Sequence, residues 1–163
     1  MKIAVFDVDD TLIIHGQGSK SYYTPSTNTF LRDLIESKGF DKIYIYTNGT
    51  YGHGYSVCKH LNIYDKVSFI YGRDNLSFLY PNHMKPTIES FKYVNDSIKT
   101  DAGIINDNPE NHQIYFFDDL DVNLKTAKSI GWNTILIKPN GKKENYIDHI
   151  FSNIYSALLQ LEY

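Results

Sequence analysis

The sequence predicts an α/β fold: a doubly wound parallel sheet with helices on both faces. Three observations lead there. Short apolar runs rich in β-branched and aromatic residues alternate with amphipathic, helix-length patterns along the chain. The runs are apolar at consecutive positions, as strands buried on both faces are. Polar residues capable of chemistry stand directly after several runs, at the edge where open parallel sheets bind ligands.

The elements follow in order. Lys2–Phe6 is the first strand, and Leu12–Pro25 is a long loop with room only for a short flap. Thr27–Lys38 repeats apolar Phe30, Leu31, Leu34 and Ile35 at helical spacing, and Gly39 is its stop. Lys42–Tyr46 is the second strand, Gly54–Leu61 the second helix and Val67–Tyr71 the third strand. Pro86–Ile98 reads as a helix with proline in its first turn and Lys85 at its entry. After a second long loop, Asp101–Gln113, come a strand at Ile114–Phe117 and a helix at Val122–Ile130 stopped by Gly131. A weaker fifth strand at Thr134–Ile137 and a last helix over Tyr146–Leu161 complete the pattern. No internal repeat or low-complexity stretch interrupts it.

The bulk properties fit one domain spanning residues 1–163, long enough to bury roughly 68–70% of its unfolded surface. The sequence is 42% hydrophobic and 21% charged, with no apolar run of membrane-helix length, so no membrane partner is expected. Asp7 breaks the first apolar run too early for an export signal, which points to a cytoplasmic protein. The single Cys58 cannot form an internal disulfide and reads as a small buried hydrophobe. A net charge of −3 and only one dense basic pair, Lys142 and Lys143, argue against extended nucleic acid as a partner. The 14 tyrosines form no stripe, and the six histidines show no metal-ligand spacing. His15 and His83 are noted for their positions alone.

The strand ends carry the chemistry. In an extended segment Asp7 and Asp9 share a direction, while Val8 turns back into the sheet. Asp10 then points elsewhere and reads as a turn residue near Thr11. Asp118 and Asp119 follow the fourth strand, and across the crevice from Asp7 they make a hard oxygen site that repels itself unless a cation sits in it. Mg²⁺ suits such a site because it favours carboxylates and keeps waters that a phosphate can share. An acid pair at a helix N-terminus is the simpler alternative, stabilised there by about 0.3–1 kcal/mol. It does not explain two adjacent acids facing a second acidic group. Lys85 and Thr47 suit the oxygens of a phosphoryl group in transfer, although either could be an ordinary surface or turn residue.

These residues stand in four stretches: "VFDVDDTL", "IYIYTNG", Lys85 within "HMKPTIESF", and "YFFDDLDVNLKTAKSIGW". In order and spacing the sequence resembles the haloacid dehalogenase superfamily, specifically its Mg²⁺-dependent phosphatases with an aspartate nucleophile. The resemblance implies a Rossmann-like sheet. It implies that Asp7 accepts the phosphoryl group as an aspartyl-phosphate and ligates Mg²⁺. Asp9 would protonate the leaving oxygen, then activate water, with its carbonyl on the metal. Asp119 would be a direct metal ligand and Asp118 would act through water, with Asn123 as polar support; Asp121 is left as a helix N-cap. Thr47, Lys85 and the backbone amides of Val8 and Asn48 would surround the phosphate.

Many family members carry a large cap domain, and this sequence leaves no room for one. Open sites of that kind take large substrates or borrow a covering surface from another subunit, so a homo-oligomer is one expectation. The flap residues His15, Gln17 and Lys20 are candidates for specificity. The function expected is Mg²⁺-dependent hydrolysis of a phosphorylated small molecule, with a nucleoside monophosphate as one candidate. The alternatives are a phosphatase of a macromolecule, either a phosphoprotein or a polynucleotide end, and a non-catalytic phospho-aspartate switch like receiver domains. Dehalogenation is disfavoured, since it does not call for Asp9 or the acid pair.

Overall fold

In a computed structural model the chain is described at residues 1–15, 21–22, 29–105, 108 and 110–162. Strand β1 (Lys2–Phe6) leads into a small antiparallel hairpin of β2 (Ile14–His15) and β3 (Ser21–Tyr22). There follow α1 (Phe30–Ser37), β4 (Lys42–Tyr46), α2 (Tyr51–His60), β5 (Phe69–Tyr71) and α3 (Ile88–Asp101). The chain then continues through β6 (Gln113–Asp118), α4 (Asp121–Ser129), β7 (Asn133–Ile137), β8 (His149–Phe151) and α5 (Ile154–Gln160).

Six of these strands form one sheet in the order β5-β4-β1-β6-β7-β8, and every neighbouring pair is parallel. β1 lies at the centre, so its pleat feeds two cores. Ile3 and Val5 point into a cluster with Phe91, Val94 and Ile98 of α3, Leu124 and Ala127 of α4, and Trp132. Ala4 and Phe6 point the other way, against Leu31 and Ile35 of α1, Val57 and Cys58 of α2, and Ala157 and Leu158 of α5. Burial on both faces is why these strands are apolar at consecutive positions, as in Ile3–Phe6 and Ile43–Tyr46. Cys58 is fully buried, and burial pushes its thiol up to about 12, which leaves it a packing residue.

The doubly wound architecture is the one expected, and no large cap domain is inserted among the described residues. No helix among them is long and apolar enough to cross a membrane. Gly39 and Gly131 end α1 and α4 with φ of 66° and 90°, a conformation that costs glycine little.

Four local expectations need correction. The stretch Tyr146–Leu161 is not one helix, because the free edge of β7 takes a partner from it. Residues 149–151 pair with Ile135, Leu136 and Ile137, and Asn153 then caps α5 by accepting from Ser156 N at 2.8 Å. α2 starts three residues earlier than Gly54. Thr50 is its N-cap, with Oγ1 accepting from His53 N at 3.1 Å, and Asp74 Oδ1 accepts from Tyr51 N at 2.8 Å. These caps offset the poor helix propensity of Gly52 and Gly54. Pro86 lies outside α3, whose N-cap is Thr87. Asp121 is not an N-cap: Leu120 occupies that position, and Asp121 sits in the first turn of α4.

Candidate active site

The carboxyl ends of β1, β4 and β6 are adjacent in the sheet, so residues far apart in sequence meet at one edge. Asp7 continues the β1 ladder by one bond, its N–H donating to Phe117 O at 2.9 Å. The chain then turns tightly, as Thr11, Leu12 and Ile13 all donate to Val8 O and Asp10 adopts φ 60°. Asp10 is exposed in that turn, but it also lines the cleft and so does not point away from the site as expected.

Lys85 is the hub. Its side chain is 1% exposed, and Nζ donates to Asp7 Oδ1 at 3.0 Å, Asp118 Oδ2 at 2.8 Å and the Tyr46 carbonyl at 2.8 Å. The ammonium also lies 5.0 Å from the ring centre of Tyr46 and 5.4 Å from that of Phe116, inside cation–π range. Asn48 fixes its backbone: Asn48 Nδ2 donates to Lys85 O at 3.1 Å, and Lys85 N donates to Asn48 Oδ1 at 2.8 Å.

Asp118 is fully buried and accepts three donors. Oδ1 takes Leu120 N at 2.9 Å, while Oδ2 takes Lys85 and, at 3.1 Å, Asn123 Nδ2. Thr11 Oγ1 donates to Asp7 Oδ2 at 3.3 Å, and Thr47 Oγ1 accepts from Gly49 N at 2.9 Å. Asp7, Asp9, Thr47, Lys85, Asp119 and the exposed Leu120 line an open cleft of about 250 Å³.

The electrostatics are strained. Burial, then the charge of Asp118, raise the Asp7 carboxyl well above the usual carboxylate range despite Lys85. Burial pushes Asp119 up to about 6. Burial also disfavours charge on Lys85, but Asp118 and Asp7 more than reverse this and hold its proton tighter than an ordinary lysine does. Lys85 therefore stays an ammonium beside carboxyls that burial and mutual repulsion push upward.

A divalent cation fits that donor set. Oxygens of Asp7, Asp118 and Asp119 lie within 4.8 Å of one another. Octahedral Mg²⁺, at about 2.0–2.1 Å from each ligand, needs oxygens about 3–4 Å apart, a small inward shift. With Asp118 already accepting three donors, direct ligation falls most readily to Asp7 and Asp119.

The structure thus brings Asp7, Asp9, Thr47, Asn48, Lys85 and Asp119 to one cleft, with Asp118 buried behind it and bound to Lys85. The Val8 side chain is fully buried, and its backbone lies between the two aspartates. His15 stands in β2, while Gln17 and Lys20 lie outside the described residues. Sequence reasoning missed the aromatic floor of Tyr46 and Phe116, and it missed His53, whose Nε2 lies 2.9 Å from Asp9 Oδ1. Thr50 followed three residues later by His53 was the visible signal, as an N-cap and its first turn.

No family model and no curated protein matches the sequence. Solved structures do match the fold. A D,D-heptose 1,7-bisphosphate phosphatase from B. bronchiseptica, complexed with magnesium and phosphate, aligns with TM-score 0.61 at 13% identity, over 98% of this chain and 97% of that one. The chain has the fold of the haloacid dehalogenase-like hydrolases. A haloacid dehalogenase-like family hydrolase from Streptococcus pneumoniae aligns with TM-score 0.59 at 14% identity, over 96% of each chain. A dehalogenase aligns with TM-score 0.61 at 18% identity over 87% of this chain, which spans only 57% of that protein's length.

Proposed function

We propose that the chain is a single-domain member of the haloacid dehalogenase superfamily and a Mg²⁺-dependent phosphomonoester hydrolase. The observation that carries this is the cluster of Asp7, Asp118 and the half-buried Asp119, with Lys85 bridging the first two, opening onto a cleft that also presents Asp9 and Thr47. Three carboxylates against one lysine are two negative charges in excess, an arrangement suited to one divalent cation. Asp7, Asp119 and the Asp9 carbonyl would hold Mg²⁺, which would supply positive charge beside the phosphoryl oxygens.

The chain's own residues do the rest. Asp7 attacks phosphorus: its oxygen–phosphorus bond forms as the bond to the leaving oxygen breaks. Asp9 gives its proton to that oxygen, then takes one from the water that releases phosphate from Asp7. Lys85 and Thr47 stabilise the charge on the equatorial oxygens from fixed positions, with the amides of Val8 and Asn48 beside them. Asp118 orients Lys85, and Asn123 orients Asp118.

The fold also carries dehalogenation, but a dehalogenase has no use for Asp9 or the acid pair. The substrate is a phosphorylated small molecule, with a nucleoside monophosphate as first candidate. A larger phosphorylated substrate is the second reading, supported by the absence of a large cap domain among the described residues. The test is hydrolysis of p-nitrophenyl phosphate with and without Mg²⁺, followed by a panel of mononucleotides, 3′-phosphorylated oligonucleotides and phosphopeptides. No turnover with Mg²⁺ would reject the hydrolase, and an aspartyl-phosphate lasting hours would turn the reading toward a switch.

A further inference from the structure

In the hydrolase reading Asp9 carries the proton for the leaving group, and its carboxyl is 37% exposed at the end of a loop. A carboxylate so exposed visits several rotamers unless something holds it. We propose that His53 is the positioning residue that holds the Asp9 carboxyl toward the leaving oxygen, an inference that rests on that reading.

His53 is fixed before it touches Asp9. It is the third residue of α2, where its N–H is bound by the Thr50 cap and where Tyr51 N–H is bound by Asp74. Gly72 lets the end of β5 press on this turn: a Cβ there would stand 2.5 Å from Tyr51 N, so the helix start cannot slide along the sheet. The ring fills the space beside Gly49, where an added Cβ would meet His53 Cδ2 and Thr47 Oγ1 at 3.2 Å each. From there Nε2 reaches Asp9 Oδ1 at 2.9 Å. Asp9 Oδ2 is left facing Gly49, 3.8 Å from where that Cβ would be, on the wall of the cleft. An incidental surface pair needs neither a capped turn nor a glycine opposite its ring, and is worth little.

The consequence concerns one proton. As the phosphorus–oxygen bond of the substrate breaks and the bond to Asp7 forms, the proton on Asp9 passes to the departing oxygen. A p-nitrophenolate departs readily without it, and a phenolate, more basic, depends on it. kcat/KM covers the steps through this transfer and excludes the later hydrolysis at Asp7.

The experiment compares kcat/KM for p-nitrophenyl phosphate and phenyl phosphate, with Mg²⁺, in the full chain. His53→Ala should cost phenyl phosphate about tenfold more than p-nitrophenyl phosphate, a share of the 10²–10⁴-fold typical of acid catalysis. His53→Gln, whose amide nitrogen reaches the place of Nε2, should restore most of the difference. Equal losses on the two substrates, no loss, or a glutamine variant as poor as alanine would overturn the role of His53 and leave the hydrolase standing. A wild-type protein inactive on both substrates would remove the hydrolase reading, and His53's role with it.

Discussion

Two groups of charged side chains, one under the carboxyl edge of the sheet and one on the outer surface, make contacts of similar length in opposite surroundings. Lys85 meets Asp7 and Asp118 at 3.0 and 2.8 Å, with side chains no more than 10% exposed. Arg32 meets Asp65 at 2.5 Å and Glu36 at 3.3 Å, and Lys66 meets Glu36 at 2.9 Å, with side chains 21–60% exposed. The outer group balances two cations with two anions. The inner group, counting Asp119, sets three anions against one cation. Burying a charge costs several kcal/mol even when it is paired, so an unbalanced buried group is a burden that packing alone would not retain. Distance does not separate structural from chemical charge here; burial and imbalance do.

The difference can be broken most sharply at Asp7. Asp7→Asn removes the oxygen proposed to attack phosphorus and should lower kcat on p-nitrophenyl phosphate by at least about 10⁴-fold; equal rates would remove Asp7 from the chemistry. Lys85→Met leaves Asp7 and Asp118 facing each other without a counter-charge. It should cost about 3–5 kcal/mol in urea unfolding and about 10²–10³-fold in kcat. Full stability in that variant would mean that the acids tolerate each other unaided.

Removing the cation probes the imbalance directly. Burial raises Asp7, and raises Asp119 to about 6, so the folded chain holds these protons more tightly than the unfolded chain does. In EDTA the share from Asp119 is complete below the unfolded value near 4 and is lost as pH rises through about 6, on the order of 2 kcal/mol, and the share from Asp7 is lost as pH rises through its own raised value. Mg²⁺ should restore it, increasingly from pH 4 to 7. The outer acids Asp65, Glu36 and Asp74, whose values are lowered, lose their contribution only as pH falls below about 4, so the windows barely overlap. A melting temperature that rises from pH 4 to 6 in EDTA would contradict the assignment. Asp65→Asn should be the mildest change, with little shift in melting temperature and no effect on turnover.

Much of the site was legible in the sequence because Asp7 and Thr47 directly follow β1 and β4 and Asp118 closes β6, strands buried on both faces. What was hidden depended on contacts the local pattern does not encode. His149–Phe151 is a strand only because β7 offers an unpaired edge, and its sequence sits inside a run with helical spacing. His53 was obscured by Gly52 and Gly54, which weaken the helical signal although Thr50 caps it. The aromatic floor under Lys85 reads as ordinary core, since Tyr46 and Phe116 meet only when β4 and β6 flank β1.

The central place of β1 has a consequence for how the protein acquires activity. Residues from positions 7, 47, 85 and 118 come together only after strands from the beginning, middle and later part of the chain have docked side by side. Such long-range pairing is slow compared with local helix formation. Regain of turnover during refolding should therefore lag behind the recovery of helical signal, and truncation before position 118 should leave helices without a working centre.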